Sequence, residues 1–576
     1  MTSLPDTADS ASLLDSILPY SRYMRRTLAS EPALENDLVQ QMHLAFSKKE
    51  MLEFLQAAAA TTNTSANETD LRRVLRQLRK RVMLRLAARD LAGLADLNEV
   101  MLTMTALAET TIRFSLELYH AWMADPARHG EPIGEKTNTV QQLLVVAMGK
   151  LGGKELNVSS DVDLIFIYPE DGETTGANPI ANHEFFTRLG RRLIASLYDY
   201  TVDGYVFRVD MRLRPHGENS PLAISLATLE DYFITHGREW ERHAWIKGRV
   251  IAGSSLAEAA LMELIVRPFV FRKYLDFEAY EAMRRLHTQL RKEVNRRELH
   301  DNIKLGPGGI REIEFITQLF QLIRGGFDAD LCIRPTIATL KRLRQKQPLP
   351  AQTFDELIEA YQFLRKLEHR LQYLDDQQTQ DLPQNVDDQR LIARSMNFSD
   401  YAGFLQQLDH HRKIVSRHFK LIFAKRRKSS IHDTPASLKP AEASDDSTLQ
   451  VFNQQLKTFG HTEPDKITER VQQFYDSTFF KQLPPASQEK IPGLMSSLVE
   501  VIAHLPHIEI TLERILQLLE KISSHPAYLA LLQEQPQTLP RIAKLISTSQ
   551  WASDYLGRHP ILLDELLTPL GVHSLP

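Results

Sequence analysis

The sequence predicts an α+β chain, mostly helical, with one compact α/β unit embedded between helical regions. Three observations predict it. Apolar residues recur at helical spacing over residues 36–128 and again over 256–424. Between those regions "QQLLVVAMG", "SDVDLIFIYP" and "YVFRVDMRLRP" are short β-branched or alternating runs. A helical pattern over residues 183–200 separates the second run from the third, as an α/β unit requires.

Residues 1–35 are polar with scattered apolar positions and read as a loosely attached start. In the helical region that follows, Leu71, Leu75, Leu78, Val82 and Leu86 form one stripe. Arg72, Arg73, Arg76 and Arg79 fall mostly off it, which reads as a solvated face, with a partner or phosphate surface as the second reading. Near residue 140 the pattern changes. One strand ends at Gly149, and a second is stopped by Pro169. The helix over 183–200 carries Phe186, Leu189, Leu193, Ile194 and Leu197 on one side. A third strand alternates over 205–214, with Tyr205, Phe207, Val209, Met211 and Leu213 on one face. Val206, Arg208, Asp210, Arg212 and Arg214 occupy the other. Residues 256–424 are helical, interrupted by "KLGPGGIREIEF". Residues 425–448 are charged, Ser/Pro/Ala-rich and aperiodic, the composition of a linker. A further helical section follows. The expected domains are therefore 1–139, 140–255, 256–424 and 449–576, the last two joined by the linker 425–448. No short-period repeat is present.

Composition excludes several classes. Across 576 residues the net charge is only -4, so no global basic field suits nucleic acid or a membrane surface. No apolar run approaches the roughly 20 residues of a membrane span. The start, "MTSLPDTADSASLLDS", lacks the basic and apolar parts of a signal peptide. With one cysteine, Cys332, no intrachain disulfide can form, and a reducing, cytoplasmic setting is expected, Cys332 serving as a packing residue.

The stretch "GKLGGKELNVSSDVDLIFIYPE", residues 149–170, carries the chemistry. On a strand, Asp161 and Asp163 project from one face with Ile165, while Val162, Leu164 and Phe166 pack on the other. Adjacent carboxylates repel unless a cation lies between them, and Mg²⁺ takes one or two carboxylates plus substrate phosphates. Asp210, flanked by Arg208, Arg212 and Arg214, offers a third carboxylate and phosphate-holding charge. Gly149, Gly152 and Gly153 let backbone N–H groups approach phosphate; Lys150 and Lys154 add charge, and Ser159 and Ser160 add hydroxyls. The spacing is neither that of a Walker A loop nor that of an EF-hand. These residues point to metal-dependent phosphoryl or nucleotidyl transfer. The plainer alternative is an acidic sheet edge balanced by arginines.

The order of a glycine, a ten-odd-residue gap, an Asp-x-Asp strand and a later strand Asp resembles the DNA polymerase β-like nucleotidyltransferase superfamily, with Lys150 where that superfamily often has Gly or Ser. "MGKLGGKELNVSSDVDLIFIYPE", "FRVDMRLRPHGENSPLAIS", "GREWERHAWIKGRVIAG" and "IKLGPGGIREIEFITQ" together resemble the bifunctional glutamine synthetase adenylyltransferase/adenylyl-removing enzymes. The resemblance implies a polymerase β-like α/β domain between helical domains, residues 256–424 completing the active site and 449–576 forming part of a helical regulatory region. It implies that one copy of the domain removes AMP from a tyrosine of glutamine synthetase, phosphate entering and ADP leaving, and that a second copy adds AMP from ATP. It also implies regulation by the PII signal protein and its uridylylated form, with glutamine and 2-oxoglutarate. This chain carries one such motif set, which resembles the first, adenylyl-removing copy. Asp161, Asp163 and Asp210 are then the Mg²⁺ ligands, and Gly149, Gly152, Gly153 and Ser160 line the phosphate site, with Lys150, Arg212 and Arg214 beside it. Other readings are a non-catalytic scaffold for PII and glutamine synthetase, or a nucleotidyltransferase with another acceptor.

Two further motifs offer contacts. In "REWERHAWIKGR", Glu241, Arg242, Lys247 and Arg249 are candidates for nucleotide or phosphate, against a solvated helix face. In "GPGGIREIEF", a Gly/Pro turn opens a helix, and the resemblance suggests that Arg311, Glu312 and Glu314 reach the active site, against plain helix-end structure. His410 and His411 lack partner ligands at metal-binding spacing and are expected to be structural.

Overall fold

The structure, a computed structural model, describes residues 7–61, 67–217, 220–271 and 301–423 and, with short gaps, 453–563. The described residues fall into two compact units. One runs to Phe271 and resumes from Asp301 to Phe423; the other begins at Asn453. The described residues of the segments expected at 1–139, 140–255 and 256–424 all lie in the first unit. The expected linker, 425–448, lies outside the described residues.

The strands of the first unit are β1 (Pro132–Gly134), β2 (Leu144–Ala147), β3 (Asp161–Tyr168), β4 (Gly172–Thr174), β5 (Arg208–Asp210), β6 (Ala223–Ser225) and β7 (Arg249–Ala252). β1 and β4 pair as a small ribbon. The main sheet runs β5-β3-β2-β7. β3 is its spine because it is long and apolar beyond Asp163, every residue from Leu164 to Tyr168 being buried. One edge of β3 pairs antiparallel with β2. Its other edge takes β5 beside residues 161–163 and β6 beside residues 166–168, both parallel. The helix Asn182–Tyr198 packs on the sheet through Phe185, Phe186, Leu189, Leu193 and Leu197. At Gly190 a Cβ would lie 2.7 Å from the Phe166 ring, so glycine sets how closely helix and sheet approach.

The third strand is shorter than its alternation predicts. Pairing stops at Asp210, where the backbone N–H of Arg212 donates to Asp210 Oδ1 at 2.8 Å. An aspartate that accepts from the residue two ahead turns the chain, and Pro215 cannot rejoin a ladder. Arg212 and Arg214 therefore leave the sheet and enter the turn.

The helical part also departs from expectation. Leu71, Leu75, Leu78, Val82 and Leu86 are buried on the helix Glu68–Leu91, as their spacing implies, but Arg76 and Arg79 are buried too. The Arg76 guanidinium donates to the carbonyls of Arg72 (2.7 Å), Ser196 (3.0 Å), Gly204 (2.8 Å) and Asp199. Arg79 pairs with Asp376 at 2.8 Å. These arginines close helix and loop ends inside the fold rather than forming a solvated or ligand-binding face. Nor is the start loosely attached: helices Thr7–Ile17 and Arg22–Ser30 bury Leu14, Ile17, Met24 and Leu28. Ser21 Oγ donates to the Tyr373 carbonyl at 2.6 Å, and Arg22 pairs with Asp375 and Asp388.

In the second unit, helices Pro464–Asp476, Pro485–Ile502, Ile508–Ile522 and Leu539–Thr548 bury a core that includes Val471, Leu498, Leu512, Ile515 and Ile542. Among the described residues, no helix is long and apolar enough to cross a membrane.

Arg76 is fully buried, so its loss strands four carbonyls and leaves a cavity. Arg76→Ala is expected to destabilise the first unit by about 3 kcal/mol, whereas exposed Arg73→Ala changes stability by less than about 0.5 kcal/mol. Denaturant unfolding of both variants checks this.

Candidate active site

The site is made by strand register. β3 and β5 run parallel, with Asp161 opposite Arg208, Val162 opposite Val209 and Asp163 opposite Asp210. Directly opposed residues in a sheet share a face, and Asp161 shares that face two residues before Asp163. Three half-buried carboxylates therefore stand on one sheet face. Val162, on the opposite face of β3, is fully buried and fixes the register, since a one-residue slip would drive the carboxylates into the core.

The turn above them is held tightly. The backbone N–H of Met148 donates to the Asp163 carbonyl at 2.9 Å. Gly149 adopts φ +52°, and a Cβ there would lie 2.6 Å from Asp163 Oδ2. Only glycine suits that backbone and leaves room for the carboxylate. The chain then makes one helical turn, Gly149–Gly152. Arg249 closes it by donating to the carbonyls of Leu151 (2.9 Å) and Gly152 (3.1 Å), and it pairs with Glu109 at 2.7 Å. At Gly152 a Cβ would lie 2.0 Å from the Lys247 carbonyl, so this glycine serves backbone packing.

The carboxylates are electrostatically unequal. Burial, then the charges of Asp161 and Asp210, push the Asp163 carboxyl up to about 7, against the pull of Lys304 and Arg212. Burial also raises Asp210, but the Arg212 hydrogen bonds outweigh it and hold this group below the usual carboxylate range. Arg212 Nε lies 2.9 Å and Nη2 2.5 Å from Asp210 Oδ2. Asp161 Oδ1 accepts from Gln378 Nε2 at 2.9 Å and Ser160 Oγ at 3.3 Å. Among the described residues, no group of three or more His, Cys, Asp or Glu side chains is gathered closely enough to hold a metal as it stands.

Beneath the turn lies a buried ionic layer. Lys150 Nζ pairs with Glu368 at 2.8 Å, and Glu368 also meets Arg365 at 3.2 Å. Arg365 donates to the Glu155 carbonyl (2.7 Å) and Asn157 Oδ1 (2.5 Å). Lys247 pairs with Glu155 (2.8 Å) and Glu314 (3.4 Å). Burial lowers Lys150 to about 7 despite Glu368, while Lys150 and Arg365 overcome burial and hold Glu368 at about 2. The backbone N–H of Ser159 donates to Gln372 Oε1 at 3.0 Å. The helix Ala351–Tyr373 thus supports the whole 150–160 turn.

Several of the expected contact residues also have internal partners. Lys150 is buried against Glu368, and Lys247 against Glu155 and Glu314. Arg242, fully buried, donates to the carbonyls of Phe269 and Val270 at 3.1 Å. Glu241 accepts from Tyr232 Oη at 2.7 Å and the Arg238 N–H at 2.9 Å, a helix-capping role. Glu312 accepts from the Gly308 N–H at 3.1 Å, and burial lowers Arg311 next to Glu314. Gly153 lies against Lys247, where a Cβ would meet Cδ at 3.2 Å, and Arg214 Nη1 donates to the Met211 carbonyl at 2.8 Å. His411 lies against Phe363 and Gln407, a structural role. Gln378, Lys304 and Glu368 are additions to the site. Lys304 belongs to the "KLGPGG" motif, and Glu368 occupies an apolar-stripe position after Tyr361 and Leu364; Gln378, on a loop, gives no sequence signal.

An Asp-x-Asp strand, a glycine turn above it and a third aspartate in register on a parallel neighbour, within a mostly helical chain, define a nucleotidyltransferase fold. Residues 11–263 match the family model described as Glutamate-ammonia ligase adenylyltransferase, and residues 281–423 the model described as GlnD PII-uridylyltransferase. Bifunctional glutamine synthetase adenylyltransferase/adenylyl-removing enzymes are similar over almost the whole chain. That of Nitrosomonas europaea is 73% identical over 99% of this chain and 61% of its own length. That of Nitrosomonas eutropha is 71% identical over 100% and 62%, and that of Chromobacterium violaceum 49% identical over 97% and 60%. The chain is similar to these enzymes over nearly its whole length and spans about three-fifths of the length of the curated relatives it matches.

Glu368→Gln leaves Lys150 buried beside Arg365 without its counter-charge, an expected cost of about 3–5 kcal/mol. Lys150→Met costs less, because Glu368 keeps Arg365. Unfolding free energies of the two variants test that order.

Proposed function

We propose that this chain removes AMP from a modified tyrosine of glutamine synthetase by phosphorolysis assisted by Mg²⁺. The observation that carries this reading is the face formed by Asp161 with the in-register pair Asp163 and Asp210. Burial, then the charges of Asp161 and Asp210, push Asp163 up to about 7, and a divalent cation would relieve that cost of ionisation, so the donor set fits one. Asp161, Asp163 and Asp210 would hold it once Arg212 swings off Asp210. When bound, the cation offsets charge on the transferring phosphoryl group.

The chain's own residues do the rest. Gly149, lacking a side chain, leaves the phosphoryl group access to Asp163. Arg212, released from Asp210, and Arg214 hold the incoming phosphate through charge-assisted bonds. A phosphate oxygen attacks the AMP phosphorus in line. The new P–O–P bond makes ADP, the bond to the tyrosine oxygen breaks, and the phenolate takes a proton from water. Phosphate is already anionic at neutral pH, so positioning and charge supply most of the rate. Support for the removing direction comes from the likeness of "NVSSDVDL" to the adenylyl-removing copy. The match over residues 281–423 to a PII-uridylyltransferase model favours the PII signal protein and its uridylylated form as regulators.

With AMP-modified glutamine synthetase, Mg²⁺ and phosphate, the chain is expected to release ADP, and Asp163→Asn to lose about a thousandfold, several kcal/mol of transition-state stabilisation. Binding of the modified enzyme without phosphate-dependent release, with PII effectors supplied, would favour the scaffold reading. Release of ADP only from another AMP-modified protein would change the acceptor.

Cation affinity should follow the Asp163 proton. A carboxyl raised to about 7 is largely protonated at pH 6, and the cation must displace that proton. Affinity is therefore expected to rise about tenfold from pH 6 to pH 8 and then level off. Calorimetric Mg²⁺ titrations of the wild type and Asp163→Asn at the two pH values check it; the dependence should vanish in the variant.

A further inference from the structure

The helix Asn182–Tyr198 turns one face to the sheet and leaves another outward. Phe185, Phe186, Leu189, Leu193 and Leu197 are buried, whereas Arg188 and Arg191 are exposed and Arg192 is half-buried. Residues three and four apart neighbour one another on a helix, so Arg188 lies over Arg191 and Arg192. The turn Asp125–Gly130 brings Arg128 and His129 to the same place. With Met123, these residues line a cavity of about 260 Å³.

The turn is firmly built. The Arg128 N–H donates to the Asp125 carbonyl (2.8 Å), the Asn178 N–H to the Arg128 carbonyl (2.8 Å) and the Gly176 N–H to the His129 carbonyl (2.6 Å). His129 Nδ1 lies 2.9 Å from the Asn178 carbonyl and Nε2 lies 3.3 Å from Arg188 Nη1. The neutral Nδ1–H tautomer satisfies both contacts and orients the Arg188 fork.

The charge is not balanced. Arg188 pairs with Glu184, and Arg192 lies 3.6 Å from Glu68. Among the described residues, no salt bridge reaches Arg128 or Arg191. Two carboxylates thus face four guanidiniums, an arrangement that repels itself until an anion enters. Guanidinium forks match phosphate oxygens in pairs. The volume falls below the roughly 300–1,000 Å³ of pockets for drug-sized ligands, which suits a phosphate or diphosphate group. None of the lining residues belongs to β3, β5 or the 149–160 turn.

We infer that this arginine pocket binds phosphate groups, either free pyrophosphate or the polyphosphate end of a nucleotide, as an anion site separate from the carboxylate face. It stands apart from the adenylyl-removing reading and can fail without it. The test is arginine-directed modification of the full chain by phenylglyoxal, read peptide by peptide by mass spectrometry at constant ionic strength. Pyrophosphate is expected to slow modification of Arg128, Arg188 and Arg191 relative to chloride. Protection by ATP but not by pyrophosphate assigns the site to nucleotides and supports it equally. The double substitution Arg128→Gln, Arg191→Gln should weaken binding about tenfold or more, the worth of one lost charge-assisted contact, while Arg212 stays as reactive as before. If that variant misfolds, the wild-type protection pattern decides. No protection beyond chloride, or protection by polyglutamate alone, overturns the inference; the latter would make the patch a dock for an acidic polypeptide.

Discussion

The candidate site depends on one electrostatic constraint: three carboxylates are placed on one sheet face closer than they would choose. The parallel register of β3 and β5 sets Asp163 beside Asp210, and the pleat adds Asp161. Separate carboxylates would ionise well below neutral pH, whereas burial, together with the charges of Asp161 and Asp210, pushes Asp163 up to about 7. The surrounding contacts act on that repulsion. Arg212 neutralises Asp210, Gln378 and Ser160 donate to Asp161, and Lys304 opposes the field at Asp163. Arg212 and the proposed cation compete for one carboxylate, so the chain carries its own occupant of the position that a metal would take.

The carboxylates hold their places because the turn above them rests on buried charge. Lys150, Glu368, Arg365, Lys247, Glu155 and Glu314 form a layer between the 149–160 turn and helices Ile310–Arg324 and Ala351–Tyr373. Such layers are poor sources of net stability, because desolvation opposes the Coulombic gain. Each charge does demand its partner in one geometry. This gives residues 301–423 a reason to sit within the same compact unit as the strands. Helical residues far along the chain fix the backbone of the glycine turn, and Gln378, on the loop that follows them, donates to Asp161.

Much of this was legible in sequence. The Asp-x-Asp strand, the glycine turn and the third aspartate were readable because strand periodicity and glycine chemistry are local. The β3–β5 register was not, since nothing local aligns Asp163 with Asp210. The third strand looked longer than it is because alternation continues through "MRLRP" while Asp210 captures the Arg212 N–H and turns the chain. Arg76, Arg79, Lys150, Arg242 and Lys247 looked like surface or ligand-binding cations. Composition marks a long cation as exposed, yet each meets carbonyls or carboxylates supplied by distant segments. Glu368 left a faint trace, a charge on an apolar stripe; Gln378 left none.

The most direct measurement is the anomalous scattering of Mn²⁺ in crystals of the chain grown above pH 7.5. A peak coordinated by Asp161 and Asp163, with Arg212 moved off Asp210, is the predicted result. Mn²⁺ bound elsewhere, with Arg212 still folded onto Asp210 and the carboxylate face empty, would contradict the account.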